Sequence, residues 1–266
     1  MENTNDTNRN EAKEARSRLL TSLLLLLIAV VSVTAVSVAW FSIADNTRVS
    51  SMLMDVTTGY NLRFDLDPHD TLEEYVRVLA FEDIEARILQ EKGFDMASTP
   101  LDPVTTSDAS VFTYEDGTVS SAGSGSYLEF TLNFMSAEDM DVHLTNMTSD
   151  GEAIDIIAAD DEALINAMRI SFTVDGETFI YDPNMGDEAS KSDNVTYFGL
   201  PASANMEYNE NNILFHLDKG VNKPVLVHIW LEGTDPGCDN DIQNFDYQIS
   251  MKFEGTDADG NVFFKQ

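Results

Sequence analysis

Along much of this chain apolar and polar side chains take turns, and that alternation limits the fold more than any other feature. Successive side chains of an extended strand point to opposite faces, so a period of two marks a half-buried strand. In residues 126–134 (SYLEFTLNF), Leu128, Phe130, Leu132 and Phe134 share one face, and Tyr127 is out of phase. Residues 245–253 repeat the pattern with Phe245, Tyr247, Ile249, Met251 and Phe253. Residues 169–181 (RISFTVDGETFIY) read as a hairpin, because Asp175 and Gly176 can take the positive φ of a tight two-residue turn. That register sets Phe172 opposite Phe179 and Ile170 opposite Tyr181. Further strands are expected at 52–56, 60–64, 141–144, 224–231 and, after a turn at 257–260, at 261–266.

Two segments break the period. Residues 70–93 have apolar positions at helical spacing, Asp70 as N-cap and Gly93 as stop, and 161–168 reads as a short helix. Residues 105–126, rich in Ser, Thr, Gly and Asp, read as an exposed loop region, and 182–212, with Pro183, Gly186, Gly199 and Pro201, read as mostly loop. The fold class is therefore mainly β, a jelly-roll-like sandwich with one or two helical insertions.

The chain's start is of another kind. Residues 23–39 (LLLLLIAVVSVTAVSVA) carry no charge, Arg16 and Arg18 precede them, and Ser37, Val38 and Ala39 are small or short. A basic flank, an apolar run and a small-residue site make an export signal. The run extends from Leu19 to Phe41, and about 20 apolar residues span a bilayer. Two readings stand: a signal peptide cut by signal peptidase between Ala39 and Trp40, or an uncleaved anchor holding residues 19–41 in the membrane. Either divides the chain into 1–39 and an extracellular domain at 40–266, secreted or held at the cell surface.

Residues 1–39 hold four acids and four bases, so the exported part keeps the whole net charge of −32. Nucleic acid is excluded as a default partner, since binding it needs a positive surface. A single cysteine, Cys238, excludes an internal disulfide, so the domain depends on its core. Flanked by Gly237 and Asp239, its thiol lacks the positive surroundings of a nucleophile.

No constellation compels an enzyme. His69, His143, His216 and His228 form no His-Glu-x-x-His pair, and no nucleophile elbow, Walker loop or dinucleotide fingerprint occurs. Asp257, Asp259 and Asn261 alternate about Gly260 at a spacing that suits calcium, the one cofactor suggested, and equally suits a metal-free turn. Asp65, Asp67 and Asp70 with His69 form a second acidic knot.

After cleavage Trp40 and Phe41 begin the chain, and a β-prone segment with Val49, Met52, Met54 and Val56 follows. Such a strand can add to the sheet of a neighbouring subunit, its main-chain hydrogen bonds giving affinity. It can equally pair within its own sandwich.

The step Ala39-Trp40-Phe41, the polar spacer 42–51 and the short strand 52–56 resemble the TasA and camelysin group of exported proteins, with a SipW-type signal. Three further patterns resemble related acidic surface proteins: residues 101–108 (LDPVTTSD), 167–172 (AMRISF) and 230–236 (WLEGTDP). The resemblance implies a jelly-roll domain, self-association into filaments of a biofilm matrix, and donation of the N-terminal strand to the next subunit. Camelysins are classed as metallopeptidases, but no zinc-ligand pattern stands here, so the expected function is structural and non-enzymatic. The alternative is a membrane-anchored binding module.

Overall fold

The computed structural model describes residues 18, 21–28, 47–56, 61–147, 152–159, 161–185, 192–201, 206–238 and 246–263. The chain divides into two units, Met1–Phe41 and Ser42–Gln266. In the first, residues 21–28 are helical, and Leu23 to Leu27 are exposed. Among the described residues no helix is long and apolar enough to cross a membrane.

The second unit is mainly β and holds two sheets. The first runs β10 (Phe215–Leu217), β5 (Met140–Thr145), β12 (Asp246–Thr256), β1 (Arg48–Val56) and β3 (Val78–Leu79), with β6 (Ile157–Ala159) also on β12. The second runs β2 (Leu62–Asp65), β4 (Tyr127–Ser136), β11 (Lys223–Leu231), β7 (Met168–Val174), β8 (Glu177–Tyr181) and β9 (Thr196–Phe198). Pairing is antiparallel except at β1 with β12 and at β8 with β9, which are parallel.

The inner faces of both sheets close on one core. Leu128, Phe130, Leu132 and Phe134 of β4 meet Ile249, Met251 and Phe253 of β12 there. Phe253 is its centre, in edge contact with Phe64 at 6.2 Å, Phe134 at 5.1 Å and Phe172 at 5.9 Å. Such edge-to-face pairs add to the gain from burial alone. The β7–β8 hairpin has Phe172 opposite Phe179 and Ile170 opposite Tyr181, and its turn holds Asp175 at φ 53° and Gly176 at φ 88°.

Several expectations are corrected. The helix expected over 70–93 is three elements. A single 3-10 turn at Leu72–Glu74 is followed by β3, and only Phe81–Lys92 is a helix, here α1. Thr71, rather than Asp70, starts the turn, its N–H donating to Glu74 Oε2 at 3.2 Å. The run Tyr75-Val76-Arg77-Val78-Leu79 holds two β-branched valines and a tyrosine, and sheet edges capture it: Val76 bridges Phe64 and Leu79 pairs with Met54. The second helix, α2 (Glu162–Ala167), starts where Asp161 Oδ1 accepts the Ala163 N–H at 2.7 Å.

Residues 105–126 are not an exposed loop. They fold across the outer face of the second sheet and bury Ala109 and Phe112 against Tyr127, Ile180 and Trp230. Residues 182–212, expected to be mostly loop, hold one strand among the described residues, β9. The last strand expected at 261–266 is reduced, among the described residues, to a single bridge between Val262 and Thr256.

Candidate functional site

Ala39, Trp40 and Phe41, the proposed cleavage step and apolar tip, lie outside the described residues. The rest of the proposed assembly segment is β1. Val49, Met52, Met54 and Val56 are each at most 1% exposed and point into the chain's own core. Met52 pairs with Ile249 and Met54 with Met251 on β12. Between Val49 and Ser51 the register slips by one residue, a bulge where Ser50 Oγ donates to the Tyr247 carbonyl at 3.2 Å.

The proposed calcium residues form a turn. Asp257 Oδ1 accepts the N–H groups of Asp259 at 3.0 Å and Asn261 at 2.9 Å, and the Asn261 amide donates to the same carboxylate at 3.1 Å. These bonds hold the Asp257 carboxyl below its usual range. Its lone pairs serve the chain's own backbone, as in a turn built by aspartate. In the second acidic knot Asp67 pairs with Arg87 at 2.7 Å, and His69 Nε2 stands 3.5 Å from Asp65. Among the described residues no three His, Cys, Asp or Glu side chains are grouped to hold a metal ion. Cys238 is buried at the edge of the core.

No local pattern signals that residues 101–108, 167–172 and 230–236 meet in space. Arg169, from the pattern at 167–172, is 1% exposed, and its Nη2 lies 2.6 Å from Oδ2 of Asp235, from the pattern at 230–236. Asp182 accepts the same guanidinium group from 3.4 Å. Both aspartates precede a proline, and each folds its carboxylate back on the turn: Asp235 takes the Gly237 N–H at 2.8 Å and Asp182 the Asn184 N–H at 3.3 Å. The third pattern joins through Val104, whose N–H donates to Leu231 O and whose carbonyl accepts from Gly233, each at 3.0 Å. Trp230 Nε1 closes the knot on Glu232 at 3.1 Å. Buried charge needs such partners, since desolvation alone would be prohibitive.

A second polar chain crosses the outer face of the second sheet. Ser171, His228 and Glu129 are cross-strand neighbours on β7, β11 and β4. Ser171 Oγ is 3.3 Å from His228 Nδ1, His228 Nε2 is 3.1 Å from Glu129 Oε2, and Glu129 Oε1 is 2.5 Å from Lys92 Nζ. The His228 and Lys92 contacts hold the Glu129 carboxyl down to about 2. The residue types are those of a hydrolase relay, but Ser171 is fully buried. Phe112, 5.2 Å from the His228 ring and stacked on Tyr127 at 4.0 Å, covers the group. A nucleophile must reach its substrate, and this hydroxyl has no route. The chain of bonds ties three strands and α1 together.

On the first sheet His143 bonds the Asn212 carbonyl at 2.9 Å and Thr256 Oγ1 at 3.0 Å, and burial lowers its pKa. Beside it opens a cleft of about 350 Å³ lined by Asp141, Tyr208, Asn209, Asn211 and the 257–260 turn.

The fold and these groups define a two-sheet, mainly β protein. No protein-family model, curated protein or solved structure matches the chain.

Proposed function

We propose that this chain is an exported, non-enzymatic structural subunit with a jelly-roll domain, which assembles into extracellular or cell-surface filaments through its N-terminal strand. One observation carries this reading. β1, at the start of the second unit, gives eight of its nine residues to a parallel pairing with β12, close to the other end of the chain. No hairpin ties β1 to either neighbour in its sheet, so the hydrogen bonds and apolar contacts it makes could be met by the same strand of another copy. Each bond is worth about 0.5–1.5 kcal/mol net, and four buried apolar side chains add more.

Export makes the strand available. Signal peptidase cutting between Ala39 and Trp40 would leave residues 40–47 as a short lead into β1. Sequencing the amino terminus of protein collected outside the producing cell, with negative-stain imaging of the same sample, tests both steps. The expected result is a Trp40 start and filaments. Single globular particles at every salt and calcium concentration would overturn the assembly reading, and an intact Met1 would favour the anchor. The polar cleft beside Tyr208 favours a second reading, a membrane-anchored module that binds a small polar ligand.

A further inference from the structure

We infer that residues 78–101 form a clasp that gates the exchange of β1; the inference rests on the assembly reading above. The outer edge of β1 is not open to solvent along its length. At its start the Thr47 carbonyl accepts the Leu101 N–H at 2.9 Å. At its end β3 pairs with Met54 and Asp55, and the Val56 N–H donates to Arg77 O at 3.3 Å. Between these two points α1 lies against both β1 and β4, with Ile84 and Ile88 buried. A strand leaving or entering this slot must first shed the contacts at all three places.

The clasp sits at an edge of the first sheet. Its strand gives only two residues to the sheet, and Leu89 and Val78 on it are about half exposed. Leu79, Ile84, Ile88, Phe94, Met96 and Leu101 bury its inner side in the core, and a few polar side chains fasten its rim. Arg87 bonds the Leu66 carbonyl at 3.2 Å and Asp67 at 2.7 Å, and Lys92 reaches Glu129 at 2.5 Å. Asp67 is 61% exposed, so its ion pair contributes little in water. Gly93, at φ 73°, ends α1 in a left-handed conformation that gives the chain a natural pivot. A segment that joins its sheet only through a two-residue edge strand opens before the central strands do.

The gate predicts an order of events: the clasp opens, β1 peels from β12, and a neighbour's β1 takes its place. Hydrogen exchange on the full chain reads the first two steps without reference to filaments. In Ile88→Ala, amides of β1 should exchange about ten-fold faster than in the parent, while those of β11 keep their rate. Arg87→Ala, a surface change that leaves the core whole, should move β1 in the same direction by less. If β1 and β11 accelerate together, or if neither moves in either variant, β1 opens only with the whole domain and the gate does not exist. The onset of filaments, followed by light scattering, should come sooner in both variants. Faster β1 exchange with unchanged onset removes the gate from assembly. Faster β1 exchange with no filaments in parent or variants keeps the gate and defeats the assembly reading.

Discussion

Arg169 Nη2 and Asp235 Oδ2 meet at 2.6 Å with both side chains 1% exposed, and two sequence patterns 66 residues apart become one structural knot. The guanidinium group also faces Asp182, so a single cation holds two Asp-Pro turns in place. Removing one partner of a buried pair leaves a charge without compensation and costs about 3–5 kcal/mol. Arg169→Ala should therefore lower stability by that amount in urea unfolding. Arg169→Met combined with Asp235→Asn should cost less than Arg169→Ala, because less unpaired charge stays behind. Equal losses would show that the missing guanidinium hydrogen bonds, common to both variants, set the cost and the unpaired charge does not.

Glu129 gives the protein an acid limit. Its carboxyl titrates near 2 in the fold against an ordinary 4.5, because His228 and Lys92 both bond the ionised form. A group held down in this way stabilises fully above the unfolded value, and the contribution drains away as pH falls from 4.5 toward 2. The side chain is a quarter exposed, and solvent trims the full linkage to about 2–3 kcal/mol. Thermal melts should show stability falling through that window. In Glu129→Gln the fall should be shallower and the stability at neutral pH lower. A parallel slope in parent and variant would place the acid sensitivity on other carboxylates.

How much of this was written in the sequence depends on distance along the chain. The β7–β8 hairpin was legible because its register is set by two turn residues, Asp175 and Gly176. The core face of β4 was legible because Leu128, Phe130, Leu132 and Phe134 alternate strictly. The long helix over 70–93 was misread because its apolar positions at Tyr75, Val76 and Leu79 suit either period, and tertiary pairing with Phe64 and Met54 decided for strand. Residues 105–126 looked exposed because Phe112 and Tyr114 are their only aromatics among Ser, Thr, Gly and Asp, and two side chains are too few to set a period. The Arg169 knot joins turns far apart in sequence, and no local pattern announces such a meeting. That β1 would form a strand was legible; that its partner would be β12, in parallel, was not.

Phe112 shows what the misread loop does. It is 1% exposed and touches Tyr127, His228 and Trp230, the last at 5.3 Å. Phe112→Ala should cost about 3–5 kcal/mol, the usual loss for emptying a buried aromatic site. It should also let water reach the Trp230 indole, red-shifting the emission of the folded protein. An unchanged spectrum with unchanged stability would mean that residues 105–126 merely rest on the sheet.

Tyr247 leads to a prediction of the opposite sign. It sits on β12 beside Val49, at the bulge in β1, and is fully buried. Its hydroxyl has no hydrogen-bond partner among the described residues, and burial pushes the phenol well above its ordinary pKa. A buried hydroxyl without a partner costs about 1–3 kcal/mol relative to water, whereas a ring hydrogen there costs nothing. Tyr247→Phe keeps the ring, its packing and the strand, and should raise the unfolding midpoint, by about 1 kcal/mol in stability. Loss of stability in Tyr247→Phe would show that the hydroxyl has a partner after all.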